Sequence, residues 1–173
     1  LDLVDGSFSD GGVNAYVAAK GEVVLINRRD INRDGNIDIV FPNDHDPNEK
    51  QDLVIYWGGD GFSSERRLEL PTNGGSDALI VDLNQDSYAD LIVANNFDGT
   101  KTNLDSYIYW GSQEGLRATR RSGVPTHGAR AVAVEDLNQD GYLDIVFANS
   151  GLSYHVTVDR DNRSFIYWGS SKG

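Results

Sequence analysis

Cysteine is absent from all 173 residues, so neither a disulfide framework nor a thiolate metal site is available. That leaves the redox compartment open. Methionine is absent as well, and no charged-then-apolar leader opens the chain, which therefore reads as a processed or excised piece. No apolar run approaches the roughly 18 residues that a membrane-spanning helix needs. Basic residues are scarce: 15 Lys and Arg face 27 Asp and Glu, a formal charge of −12. Nucleic acids and anionic membranes both select basic surface, so neither is an expected partner. No segment carries sustained helical periodicity, and the expected class is all-β.

The acid is concentrated. Three nine-residue loops begin at Asp30, Asp82 and Asp136 and hold nine of the 27 acidic residues. Their side-chain oxygens fall at positions 1, 3, 5 and 9: Asp30, Asn32, Asp34 and Asp38; Asp82, Asn84, Asp86 and Asp90; Asp136, Asn138, Asp140 and Asp144. Position 7 (Asn36, Tyr88, Tyr142) would add a backbone carbonyl, and position 6 (Gly35, Ser87, Gly141) makes the tight turn. This spacing wraps hard oxygen donors around one point, as a calcium ion requires. About three ions are expected, which would bring the formal charge from −12 to roughly −6. Ser87 stands where the other loops have glycine, and a left-handed non-glycine residue costs roughly 1 to 2 kcal/mol. The second loop is thus expected to be the weakest site.

An EF-hand reading fails at position 12. A bidentate glutamate belongs there, but these loops place Phe41, Val93 and Phe147. Asp-rich turns without metal are the bland alternative, since Asp, Asn and Gly are ordinary turn residues. Three loops in matched register weigh against it. Bound calcium is expected to be structural, stabilising the folded state by mass action. Calcium sites of extracellular modules bind at roughly 10⁻⁴ to 10⁻³ M, a range useful outside cells, so the protein is expected to be exported.

The loops recur at steps of 52 and 54 residues, and a second marker keeps the same beat: Ile55-Tyr56-Trp57-Gly58, Ile108-Tyr109-Trp110-Gly111 and Ile166-Tyr167-Trp168-Gly169. A looser third echo is Leu70-Pro71-Thr72-Asn73-Gly74 against Val124-Pro125-Thr126-His127-Gly128. A period of this length signals a repeat architecture. One repeat region, 1–173, is expected: a partial unit at 1–29, repeats at 30–81 and 82–135, and a truncated repeat at 136–173.

Each repeat reads as four short strands. The first precedes the loop (Val23–Ile26, Ala78–Val81, Ala131–Val134). The second leaves it (Ile39–Phe41, Leu91–Ala94, Ile145–Ala148) and is apolar on both faces, as a strand covered on both sides should be. The third ends in the Tyr-Trp-Gly marker. The fourth is polar, over Arg66–Leu70 and Arg117–Arg121. Four strands per unit, covered by neighbours, is the layout of a β-propeller blade.

The loops, the strand Leu143–Asn149 and the Tyr-Trp-Gly marker together resemble the FG-GAP/VCBS repeat family, which includes the calcium-binding blades of integrin α-subunit propellers and many secreted bacterial proteins. The likeness runs from Val23 to Gly173. It implies propeller blades with calcium in the hairpin between the first two strands, and extracellular adhesion or ligand binding rather than catalysis. A protein or carbohydrate ligand, or further copies of the chain, are the partners implied.

Closed propellers need roughly four to eight blades, whereas three complete loops are present. Leu1-Asp2-Leu3-Val4 resembles Leu143-Asp144-Ile145-Val146, and Asn14–Val17 would then occupy the place of a marker strand. A piece of a longer propeller, or a subunit completing a ring or filament with neighbours, is favoured over a stand-alone fold. A structural filament subunit and a polysaccharide-degrading propeller enzyme are the alternative functions.

The remaining features have bland readings. Trp57, Trp110 and Trp168 are expected to pack between sheets rather than stack on sugars. His45 lies in an acidic surface loop, and His127 and His155 stand without a nucleophile. Asn162-Arg163-Ser164 fits a glycosylation acceptor, a signal of low specificity.

Overall fold

A computed structural model describes residues 14–17, 23–26, 30–43, 52–150 and 163–171. Among them are twelve β-strands and no helix. In chain order they are β1 (Asn14–Val17), β2 (Val23–Ile26), β3 (Ile39–Phe41), β4 (Leu53–Tyr56), β5 (Arg67–Leu70), β6 (Gly75–Val81), β7 (Asp90–Asn95), β8 (Asn103–Tyr109), β9 (Arg121–His127), β10 (Ala129–Glu135), β11 (Asp144–Asn149) and β12 (Phe165–Tyr167). They form sheets of order β1-β2, β3-β4-β5, β6-β7-β8-β9 and β10-β11-β12. The all-β expectation holds, and sheets of three and four strands in meander order are of propeller-blade type.

The chain falls into two compact units, Leu1–Ile39 with Ile55–Leu68, and Val40–Val54 with Glu69–Gly173. The first holds the β1-β2 pair and the first acidic loop. In that pair Asn14 faces Ile26 and Val17 faces Val23, antiparallel. Val23–Ile26 was expected beside Ile39–Phe41; its partner is instead β1, and the sheet order β3-β4-β5 lacks that first strand.

The second unit contains the complete four-stranded blade. All six residues of β7 are buried, as its unbroken apolar run predicts. Leu79 faces Ile92 across the β6–β7 ladder, and Ile92 faces Ile108 across β7–β8, so one row of branched side chains lines one face. A shared core joins this blade to the next: Ile92, Ala94 and Ile108 from the four-stranded sheet meet Ala129, Ile145 and Phe147 from the three-stranded one. Burying the isoleucine and phenylalanine side chains among them contributes roughly 1.5 to 3 kcal/mol each relative to exposure. Polar links reinforce the contact. The Val132 N–H donates to Asp77 Oδ2 at 3.0 Å, and the Ser76 hydroxyl donates to the Ala129 carbonyl at 2.6 Å.

The fourth strand of this blade is displaced from its expected position. Arg117–Arg121 was expected; residues 117–120 instead form a turn, closed by an Arg120 N–H donated to the Arg117 carbonyl at 3.0 Å. The strand starts at Arg121 and runs through Pro125. Proline has no N–H to give, and β9 is an edge strand paired only with β8, where Pro125 faces Asp105.

Candidate metal centre

The three acidic loops fold identically. In the first, the Asp30 carboxylate accepts the Asp34 N–H at 2.9 Å and the Gly35 N–H at 2.7 Å. The second repeats this from Asp86 and Ser87 to Asp82, at 3.0 and 2.8 Å. The third does so from Asp140 and Gly141 to Asp136, at 3.1 and 2.9 Å. The Asn side chain at position 3 turns inward as well: its Oδ1 accepts the position-5 N–H at 3.0 Å in loops one and two and 2.9 Å in loop three. The position-5 carboxylate accepts the position-7 N–H at 2.9, 2.8 and 2.9 Å in turn. Positions 1, 3 and 5 therefore gather their oxygens on the inside of one tight turn.

The backbone explains the turn. Position 6 is left-handed throughout, with φ of 87° at Gly35, 72° at Ser87 and 89° at Gly141. Ser87 thus occupies the strained conformation expected of it. Position 4 is left-handed too, at Arg33, Gln85 and Gln139, which the sequence did not reveal. Nothing in those residue types demands it. The carboxylate of position 1 does, by drawing two successive N–H groups toward itself.

Position 9 behaves differently. Asp38, Asp90 and Asp144 are buried, and each carboxylate bridges two distant backbone donors. Oδ2 accepts the N–H of position 2, from Ile31 at 2.7 Å, Leu83 at 2.9 Å and Leu137 at 2.9 Å. Oδ1 accepts the N–H of the marker glycine, from Gly58 at 3.0 Å, Gly111 at 2.7 Å and Gly169 at 2.8 Å. The loop and the Tyr-Trp-Gly marker are thus two halves of one device. Glycine is required because a Cβ at Gly58, Gly111 or Gly169 would lie 2.1, 2.3 or 2.3 Å from the carbonyl oxygen of position 8.

The third echo belongs to the same architecture. The Tyr109 hydroxyl donates to the Pro71 carbonyl, and the Tyr167 hydroxyl to the Pro125 carbonyl. The second of these runs from the three-stranded sheet to the four-stranded one. Burial pushes the Tyr109 phenol above its usual range, opposed by Arg121 beside it. Loops two and three are also joined, by a Gln85 Nε2 donated to the Gly141 carbonyl at 2.8 Å.

Electrostatics divide the carboxylates. Burial raises Asp38 and Asp90 above the usual carboxylate range, outweighing the backbone donors around them. Asp34 is lowered, first by the Asn36 backbone N–H and then by the Asn36 side chain. Among the described residues no three His, Cys, Asp or Glu side chains converge closely enough to form an all-acid cage. The loops offer a mixed set instead: a half-buried carboxylate, an exposed one and an amide oxygen on one turn, and a buried carboxylate at position 9. Oxygen-only donors with unneutralised charge fit a hard divalent cation. Asp30, Asn32 and Asp34, and their counterparts in the other loops, would hold it from the turn, whereas the Asn36 carbonyl and Asp38, whose two oxygens already accept backbone N–H groups, would join them only by moving closer; the ion would supply positive charge to the turn and no reaction chemistry.

Comparison with known proteins places the repeat in a family. The FG-GAP-like repeat pattern matches residues 30–93 and again 82–147, so the matched stretches take in all three loops. The chain belongs to the FG-GAP-like repeat family. It is 33% identical to integrin alpha-7 of Rattus norvegicus and of Homo sapiens over 120 residues, 65% of this chain. It is 31% identical to integrin alpha-6 of Gallus gallus over 112 residues, 60% of this chain. The match takes in only 9 to 10% of each of those proteins.

Of the other residues singled out, Trp110 packs against the core shared by two FG-GAP-like sheets and donates its indole N–H to the Ser122 hydroxyl at 2.8 Å. Trp57 is half-buried and Trp168 is exposed, so the expected packing role holds for Trp110 and not for Trp168. His127 lies edge-on to Phe165, ring centroids 5.8 Å apart. His45, His155 and Asn162 lie outside the described residues. Among the described residues no helix is long and apolar enough to cross a membrane.

Proposed function

We propose that this chain is a non-catalytic, calcium-binding extracellular repeat module that serves adhesion, ligand binding or surface assembly. The observation that carries the metal reading is the threefold repetition of one oxygen-lined turn, with the same donors at nearly the same distances in each copy. A structural calcium ion would neutralise the carboxylates of positions 1 and 5 and the buried one at position 9. It would thereby hold each turn to the marker strand that position 9 already contacts.

The adhesion reading rests on family membership and on the similarity to integrin alpha chains. The partner it favours is a protein or carbohydrate ligand outside the cell. Calorimetric titration of the metal-free chain with calcium chloride tests the first part. We expect binding at more than one site, weakest in the loop containing Ser87, with the melting temperature rising as calcium is added. Absence of binding heat together with a melting temperature that EDTA leaves unchanged would sink the metal reading.

A further inference from the structure

The acid that dominates this chain is missing from one stretch. From Gly115 to Val134 there is no Asp or Glu, the longest such interval in the sequence, and it holds four of the 15 Lys and Arg. Three of these, Arg117, Arg120 and Arg121, fall within five residues, at the turn that leads from the second Tyr-Trp-Gly marker into β9. Residues 117–123 are exposed without a break. Charge at this corner acts locally, because at 0.1 M salt fields fade over about 10 Å. The formal charge of −12 therefore does not decide what binds here.

The turn is held on both sides. Gly115 donates its N–H to the Ser112 carbonyl at 2.8 Å, Leu116 is buried, and the Trp110 N–H donates to the Arg120 carbonyl at 2.9 Å. Arg121 is held as well. Its guanidinium lies 4.3 Å from the centre of the Tyr107 ring and donates to the Tyr109 hydroxyl at 3.4 Å. A long side chain pinned in this way has less freedom to lose on binding. Nearby acids leave the charge largely uncompensated. Arg117 meets Glu114 at 3.7 Å with both side chains more than half exposed, which makes a weak pair. The Asp105 carboxylate lies against Gly123, yet among the described residues no acid forms an ion pair with Arg120 or Arg121.

We propose that the Arg117–Arg120–Arg121 corner binds a sulfated polysaccharide. All three cations are guanidinium groups, whose fork of N–H donors and weak hydration suit sulfate oxygens. The corner opens an edge strand and faces solvent, whereas small ligands select concave sites, so its shape suits an extended polymer of repeating anions. The inference deepens the extracellular ligand-binding reading, on which it rests for the choice of a polysaccharide of the cell exterior, and it needs no bound metal.

The test is fluorescence anisotropy of a labelled heparin fragment titrated with the whole chain in calcium chloride. Binding is expected, and it should weaken as sodium chloride is raised. An arginine near an anionic surface contributes roughly a fivefold gain in affinity, so Arg117→Ala combined with Arg120→Ala should bind roughly twenty-five-fold more weakly. Arg121→Ala should bind roughly fivefold more weakly. Circular dichroism checks the fold of each variant; if Arg121→Ala fails to fold, the double variant, whose two arginines are exposed, carries the test. Lys101→Ala combined with Arg130→Ala removes the same charge beyond the other end of the β8–β9 ladder, where Asn103 faces His127, and should leave the affinity unchanged. The proposal is overturned if the chain does not bind, if the first double variant binds as the unaltered chain does, or if the second loses as much. Equal competition by desulfated heparin or by poly-glutamate also overturns it, the latter pointing to an acidic peptide instead. Heparin binding that persists in a chain without affinity for calcium would sink the metal reading alone. A chain located inside cells would remove the exterior reading while leaving the measured binding intact.

Discussion

Asp90 and Gly111 are joined by an N–H donated from the glycine to Oδ1 at 2.7 Å, with both residues buried. The same carboxylate accepts Leu83 N–H through Oδ2 at 2.9 Å, so it ties the start of its own loop to the end of the third strand. Both motifs that mark the repeat meet at this aspartate.

Gly111→Ala should therefore be costly. Its Cβ would sit 2.3 Å from the Ala89 carbonyl oxygen, a backbone atom that cannot swing away. Overpacking of this kind typically costs about 1 to 3 kcal/mol, and displacing the Gly111 N–H weakens a charge-assisted bond as well. Urea unfolding should show a loss of about 2 to 3 kcal/mol. Gly35→Ala is the control: no atom lies within 4 Å of its Cβ, so only the strain of φ +87° remains, about 1 kcal/mol. Equal losses in the two variants would contradict the close-contact explanation.

At Ser87 the direction reverses. Its φ of 72° is one that glycine adopts without steric cost. Relief of roughly 1 to 2 kcal/mol is partly offset by the greater freedom of glycine in the unfolded chain. Ser87→Gly should stabilise the protein by about 0.5 to 1 kcal/mol in chemical denaturation. Calcium titration should show the weakest site strengthened. A destabilised variant would mean that the serine hydroxyl does something the loop geometry does not explain.

Asp98 supplies a pH dependence remote from the acidic loops. Partial burial pushes its carboxyl up, but donors from the Thr100 hydroxyl at 2.7 Å and from the Lys101 and Thr100 N–H groups, each at 2.9 Å, together hold it below the usual range. A depressed folded-state value means stability present above the ordinary aspartate value of about 3.9 and lost as pH falls through the lowered one. The stability difference between the unaltered chain and Asp98→Asn should shrink as pH falls from about 5 to about 3. Thermal melts across that range would show a constant difference if the turn did not depend on the charge.

Tyr109→Phe removes the hydroxyl that Pro71 accepts, inside a fully buried ring site. The hydroxyl also accepts from the Arg121 guanidinium at 3.4 Å, so a loss of about 1 to 2 kcal/mol is expected from the two hydrogen bonds. Tyr167→Phe, at a half-buried position, should lose less because water can serve the Pro125 carbonyl. Equilibrium denaturation of both variants measures the difference, and the reverse order would argue against the burial explanation.

Much of this architecture was legible because it is periodic. The apolar runs at 91–94 and 145–148 became β7 and β11 with one residue added at each end, since both faces of those strands are specified by sequence alone. The tight turn of the loops and the left-handed Ser87 were equally readable, because turn geometry is a local matter. β9 was not. Pro125 argues against a strand everywhere except an edge, and whether a strand is an edge is decided by its neighbours. The pairing of β2 with β1 is likewise a tertiary choice between two available partners. The loop-to-marker bond left a signal, two motifs keeping one beat, but spacing alone cannot say that an aspartate and a glycine twenty residues apart touch.

That separation is 20 residues in the first repeat, 21 in the second and 25 in the third, while the bond itself stays between 2.7 and 3.0 Å. The intervening polypeptide can thus change length without disturbing the clasp at its ends. Foreign peptide spliced between Asp144 and Gly169 would be carried on an anchored frame, which makes this arc the natural place for the repeats to diversify and for an engineer to display a chosen epitope.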